Sequence, residues 1–118
     1  VTALKDARAD LAAKVTAAVA ALDVTVLPYD PPTIVGNTVT VSTAGVSATD
    51  WRLFVRVYVG AVQSQAGQDL LDDVVEAVET VGESLGSGVP RSAWEFAYDE
   101  SKGAFVMLTT VDYPREDW

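Results

Sequence analysis

The chain has no cysteine and no histidine in its 118 residues. That absence removes disulfide stapling, thiolate nucleophiles, Cys/His zinc sites and imidazole acid/base catalysis from a single subunit. It also leaves redox compartment unreadable. Basic residues are few as well: eight Lys and Arg stand against 17 Asp and Glu, a formal charge of -9. Wrapping nucleic acid through phosphate contacts needs a basic patch that releases counterions. Here only Arg52 and Arg56 are expected to share a strand face, so sequence-specific nucleic-acid recognition is excluded as a primary role. No apolar run approaches the roughly 20 residues that span a bilayer. The alanine-rich start is interrupted by Lys5, Asp6, Arg8, Asp10 and Lys14, unlike the apolar stretch of a signal peptide. A soluble protein with no membrane partner and no visible export signal is expected.

What is present suits one globular domain spanning 1–118: 49% hydrophobic and 21% charged residues, in a length that supports a single core. Thr2 to about Leu22 reads as a helix, with Leu4, Leu11, Val15, Ala18 and Leu22 at helical spacing and Thr2 as N-cap. Val24 to Leu27 reads as a short strand stopped by Pro28-Tyr29-Asp30-Pro31-Pro32. Extended structure resumes from about Thr33 to Val41 with a turn or bulge at Gly36-Asn37, and Ser42 to Asp50 reads as a flexible loop.

Trp51 to Val59 is the strongest strand signal. Trp51, Leu53, Val55, Val57 and Val59 form an apolar face at period two, and Arg52, Phe54, Arg56 and Tyr58 form a second face of alternating cations and aromatics. The first face needs a core. The second has the composition of a protein interface, where aromatics supply contact area and Arg supplies forked hydrogen bonds, although Arg and Tyr also populate ordinary solvated sheet faces.

After a connection from Gly60, a helix is expected from about Gln65 to Leu85, with Leu71, Val74, Val75, Val78, Val81 and Leu85 as its apolar stripe. Its valines are poor helix formers, so burial must hold it. Asp69, Asp72, Asp73, Glu76, Glu79 and Glu83 fall on the other face, which reads as a solvated acidic surface, as a repulsive one, or as a weak cation site at Asp72, Asp73 and Glu76. Gly86 to Pro90 stops the helix and lacks the following Lys of a phosphate loop. Ala93 to Asp99 and Ala104 to Tyr113 read as strands joined by a hairpin at Asp99 to Gly103, with Trp94, Phe96 and Tyr98 packing a core and Glu95 pairing with Arg52 or Arg56 across the sheet or across a subunit boundary. Trp118 ends a polar segment, as an untethered end or as a docking anchor. The fold class is therefore α+β: an antiparallel or mixed sheet of about five strands with two helices on one face, in the order α-β-β-β-α-β-β. Nothing in the sequence singles out a catalytic pair or calls for a cofactor, so a non-enzymatic role is expected.

The alanine-rich first helix, the short strand running into Pro28-Tyr29-Asp30-Pro31-Pro32, the strand Trp51 to Val59, and the helix opened by Gln65-Ala66-Gly67-Gln68-Asp69-Leu70-Leu71-Asp72 together resemble tail terminator proteins of long-tailed bacteriophages, particularly those of actinobacterial hosts. The resemblance covers nearly the full chain and rests on element order and composition. It implies a structural neck protein without an active site, forming a ring, usually hexameric, that caps the tail tube and ends its polymerisation. The implied partners are further copies of the chain, the tail tube protein and a head-side connector or stopper, with DNA passing through the ring. The implied location is the virion neck, after assembly in the host cytoplasm. The residues alone leave open a head-side stopper, a tube subunit or a non-catalytic acidic ligand-binding module.

Overall fold

Two amphipathic helices and a set of strands with alternating apolar residues have one economical arrangement: the helices cover one face of a single sheet. The computed structural model, which describes residues 3–85 and 94–115, has this form. Its elements are α1 (Leu4–Ala18), β1 (Thr25–Leu27), β2 (Thr38–Val46), β3 (Asp50–Tyr58), α2 (Gln65–Ser84), β4 (Glu95–Asp99) and β5 (Ala104–Pro114). The five strands form one mixed sheet ordered β1-β2-β3-β5-β4, in which only β1 and β2 pair in parallel. The expected fold class and element order are those observed.

β3 is the middle strand because it is apolar enough to be covered. Leu53, Val55 and Val57 face the helices and are buried. They are flanked in register by Val41 and Val39 on β2 and by Val111 on β5. Ala7, Leu11, Ala12 and Val15 of α1 and Leu71, Val74, Val78 and Val81 of α2 close this layer. Each such valine or leucine contributes roughly 1.5–3 kcal/mol through area withdrawn from water. α1 lies against β1, β2 and β3, and α2 against α1 and β3. Among the described residues no helix is long and apolar enough to cross a membrane.

Several boundaries differ from those expected. α1 begins after Ala3, which is extended and makes no side-chain cap; Thr2, the expected cap, lies outside the described residues. α1 ends at Ala18, and a turn closed by Leu22 N–H donating to the Val19 carbonyl follows. Leu22 still packs on the core, so the apolar period outlasts the helix. Extended pairing begins at Thr38, not near Thr33.

The largest correction concerns Ser42 to Asp50, which is not a flexible loop. Ser42, Thr43, Gly45 and Val46 pair with Phe54, Leu53, Arg52 and Trp51, with the register shifted between Thr43 and Gly45. Only 47–49 form the turn, in which the Ser47 hydroxyl accepts from the Asp50 N–H at 3.0 Å. Small residues pack against this end of β3 without needing an apolar pattern of their own. The helix stop at Gly86 to Pro90 and residue Ala93 lie outside the described residues.

Candidate interaction surface

With both helices on one face, the other face of the sheet is left to the even-numbered residues of β3: Arg52, Phe54, Arg56 and Tyr58. Their cross-strand neighbours are Thr38, Thr40, Ser42 and Gly45 on β2 and Val106, Leu108, Thr110 and Asp112 on β5. The structure splits this face in two. At one end Tyr58 is only 1% exposed. Its hydroxyl donates to Asp99 Oδ2 at 3.1 Å, and nearby the Lys102 ammonium pairs with Asp30 Oδ2 at 3.3 Å. That ion pair ties the β1–β2 connection to the β4–β5 turn across 72 positions of sequence. Tyr58 is therefore an internal residue, and its expected contact with a neighbouring subunit is corrected.

At the other end Arg52, Phe54 and Arg56 are partly exposed, as are Leu108 and Thr110. Arg56 is held in place from two sides: its guanidinium lies 4.6 Å from the centre of the Phe54 ring, and Nη1 donates to Ser42 Oγ at 2.8 Å. Arg52 Nε stands 3.9 Å from the Asp112 carboxylate, which is buried. Within one subunit Glu95 is opposite Leu108, so a full strand separates it from Arg56 and the expected pairing across the sheet is not made. A cation–π contact and a hydroxyl hold the Arg56 side chain before any partner arrives, which lowers the entropy lost on binding. The arrangement can grip carboxylates and bury an aromatic ring.

The acidic residues Asp69, Asp72, Asp73, Glu76, Glu79 and Glu83 are all exposed along the outer side of α2. Among the described residues no group of three or more carboxylates converges to hold a metal ion. Gln68 donates to Asp72 at 3.1 Å and the Trp94 indole to Glu79 at 3.1 Å. Changing Asp72, Glu76 and Glu79 together to Asn, Gln and Gln should leave the fold intact and shift stability by only a few tenths of a kcal/mol per like-charge pair relieved. The new side-chain amide in place of Glu79 would keep an oxygen for the indole. Thermal unfolding of the triple variant checks this; loss of the folded state would make the face structural.

The expectation for Trp94, Phe96 and Tyr98 divides. Trp94 packs against the core, but Phe96 and Tyr98 are each 53% exposed, because the helices lie over β1 to β3 and stop short of β4. Phe105, which sequence reasoning passed over, stacks on Phe96 with ring centres 5.4 Å apart and meets Tyr98 edge-on at 5.1 Å. Its position on the same face as Phe96 and Tyr98 follows from the hairpin register and was the available signal. Phe105 also lines a concavity of about 550 Å³ with Gly60 to Ser64; a second, of about 210 Å³, lies between β1 and its connection to β2. Among the described residues no acid, lysine or arginine lines either one. Trp118 lies outside the described residues.

Among the described residues three groups titrate away from their ordinary values. The Lys14 ammonium and the Tyr113 hydroxyl, both hydrogen-bonded to Asp10, hold its carboxyl below 3.8. Hydrogen bonds from Ser101, and then Tyr58, do the same for Asp99. Burial, reinforced by Asp30 and Asp99, pushes the Tyr58 phenol above 10.0. A depressed carboxyl adds stability above its unfolded pKa that disappears as pH falls through the folded value; a raised phenol adds stability below its unfolded pKa that erodes as pH rises beyond it. The urea midpoint should therefore be flat through neutrality, fall below pH 3.8 and fall again above pH 10. Tyr58→Phe should remove the alkaline contribution from this site.

No protein-family model matches the sequence, and no curated protein matches it.

Proposed function

We propose that the chain is a structural subunit of the neck of a long-tailed bacteriophage, a tail terminator that forms a ring on the end of the tail tube, stops tube growth and joins the tail to the head connector. The observation that carries this reading is the sheet face left open by the helices, where Arg56 and Phe54 are held ready for a partner. Its complement is on the same molecule. The outer side of α2 carries six exposed carboxylates, and a contact between two different surfaces of identical subunits propagates head-to-tail, closing into a ring when the rotation allows. A hexamer is the proposed ring, with the tail tube protein on one side and the head-side connector or stopper on the other. Surface complementarity does the work, with no cofactor.

Electron microscopy of virions lacking the protein tests the proposal. Tails of uncontrolled length, unattached to heads, are expected. Detached tails of normal length would assign the chain to the head-side stopper instead, absence of tubes would make it a tube subunit, and normal joined particles would remove it from the neck altogether.

A further inference from the structure

We infer that the outer edge of β4 receives an extended, basic segment of another protein, which adds to the sheet as a further strand. Among the described residues β4 is the last strand of the sheet on its side, and its register against β5 is continuous, without a bulge. Unpaired edges attract strands, and proteins normally blunt them with Pro, Lys, bulges or short length. Glu95-Phe96-Ala97-Tyr98-Asp99 has no Pro, Lys or bulge, and its charges are the two carboxylates at its ends, which oppose an acidic strand and admit a basic one. The opposite edge is blunted: β1 is three residues long and runs directly into Pro28. β4 also offers side-chain recognition. Phe96 and Tyr98 project half-exposed on the side of the helices, Phe96 stacked on Phe105 and Tyr98 edge-on to it, at the rim of the concavity that Phe105 forms with Gly60 to Ser64. An added strand would gain main-chain hydrogen bonds along the edge and set alternate side chains on these rings.

Charge identifies the occupant. Glu95 and Glu100 are exposed beside the edge, Asp99 ends it, and Glu79 stands next to Trp94 at its start. Lys102, the one base of the β4–β5 hairpin, is engaged by Asp30. A second copy would bring the same carboxylates, or Asp23 and Asp30 flanking β1, against this edge; directly opposed like charges destabilise strand pairing. A segment alternating Lys or Arg with apolar residues meets both the charge and the rings. This inference does not depend on the phage reading.

The test uses two capped seven-residue peptides, one alternating Lys with Val and one alternating Glu with Val, added to the full chain. Calorimetry should detect the Lys peptide and not the Glu peptide. Hydrogen exchange followed by NMR should show slowed exchange at amides of Glu95 to Asp99. The Phe96→Lys, Tyr98→Lys double variant, altering two half-exposed side chains, should bind the Lys peptide at least tenfold more weakly. Three results would overturn the inference: no binding, equal binding of both peptides, or binding of the Lys peptide without protection of β4. Protection of β4 that rises with protein concentration alone, together with a dimer in sedimentation, would also overturn it by making a second copy the occupant. The exchange map of the unaltered protein decides the matter even if the double variant fails to fold.

Discussion

Gly67→Ala should destabilise the protein by about 2–4 kcal/mol, although helix propensity alone favours Ala by about 1 kcal/mol. Gly67 lies in the first turn of α2 and is buried. A methyl group built there would sit 1.8 Å from the carbonyl oxygen of Ala61. The obstacle is backbone, so no rotamer change relieves it. The carbonyl is fixed in turn, because it accepts from the Ser64 hydroxyl at 2.8 Å and from the Ser64 N–H at 3.0 Å. The same hydroxyl caps α2 by accepting from the Gly67 N–H at 3.0 Å. Moving the loop away from a new methyl group therefore also costs the cap. Urea unfolding measures the change; a stability equal to or above that of the parent would mean that the 60–64 loop yields freely.

Arg56→Glu should leave the monomer folded and weaken assembly by about 2–5 kcal/mol per contact, roughly thirtyfold to several thousandfold in affinity. Arg56 is partly exposed, and the variant loses the contact with the Phe54 ring and the bond to Ser42 without opening the valine core on the other side of β3. Against an acidic neighbour, attraction becomes repulsion. An unchanged circular dichroism spectrum with a smaller sedimenting species is the expected pair of results. An unchanged species would mean that the open sheet face is only solvated.

The parts of the fold legible in the sequence are those whose periodicity is dictated by burial on one side. Leu53, Val55 and Val57 announce β3 and its orientation, and the spacing from Leu71 to Val81 announces α2, because in both cases the apolar residues meet a single core. Ser42 to Val46 was not legible. Its residues are small and polar, and their strand conformation comes from pairing with Trp51 to Phe54. Tyr58 was misread for a related reason: the period assigns its face correctly, but what lies over that face depends on Asp30 and Lys102, far from it in sequence. Phe96 and Tyr98 carry the alternation of a core strand, yet their exposure is decided by where the helices lie across the sheet, which no local pattern encodes. At the candidate surface, Arg52, Phe54 and Arg56 were legible as a group; the bonds that hold them, to Ser42 and Asp112, were not.

The central claim is assembly, and the mass of the native particle tests it most directly. Native mass spectrometry of the purified chain, alone and after addition of purified tail tubes, should show a closed ring of identical subunits, a hexamer, free or seated on the tube end. A chain that remains monomeric at high concentration and does not join the tubes would contradict the account.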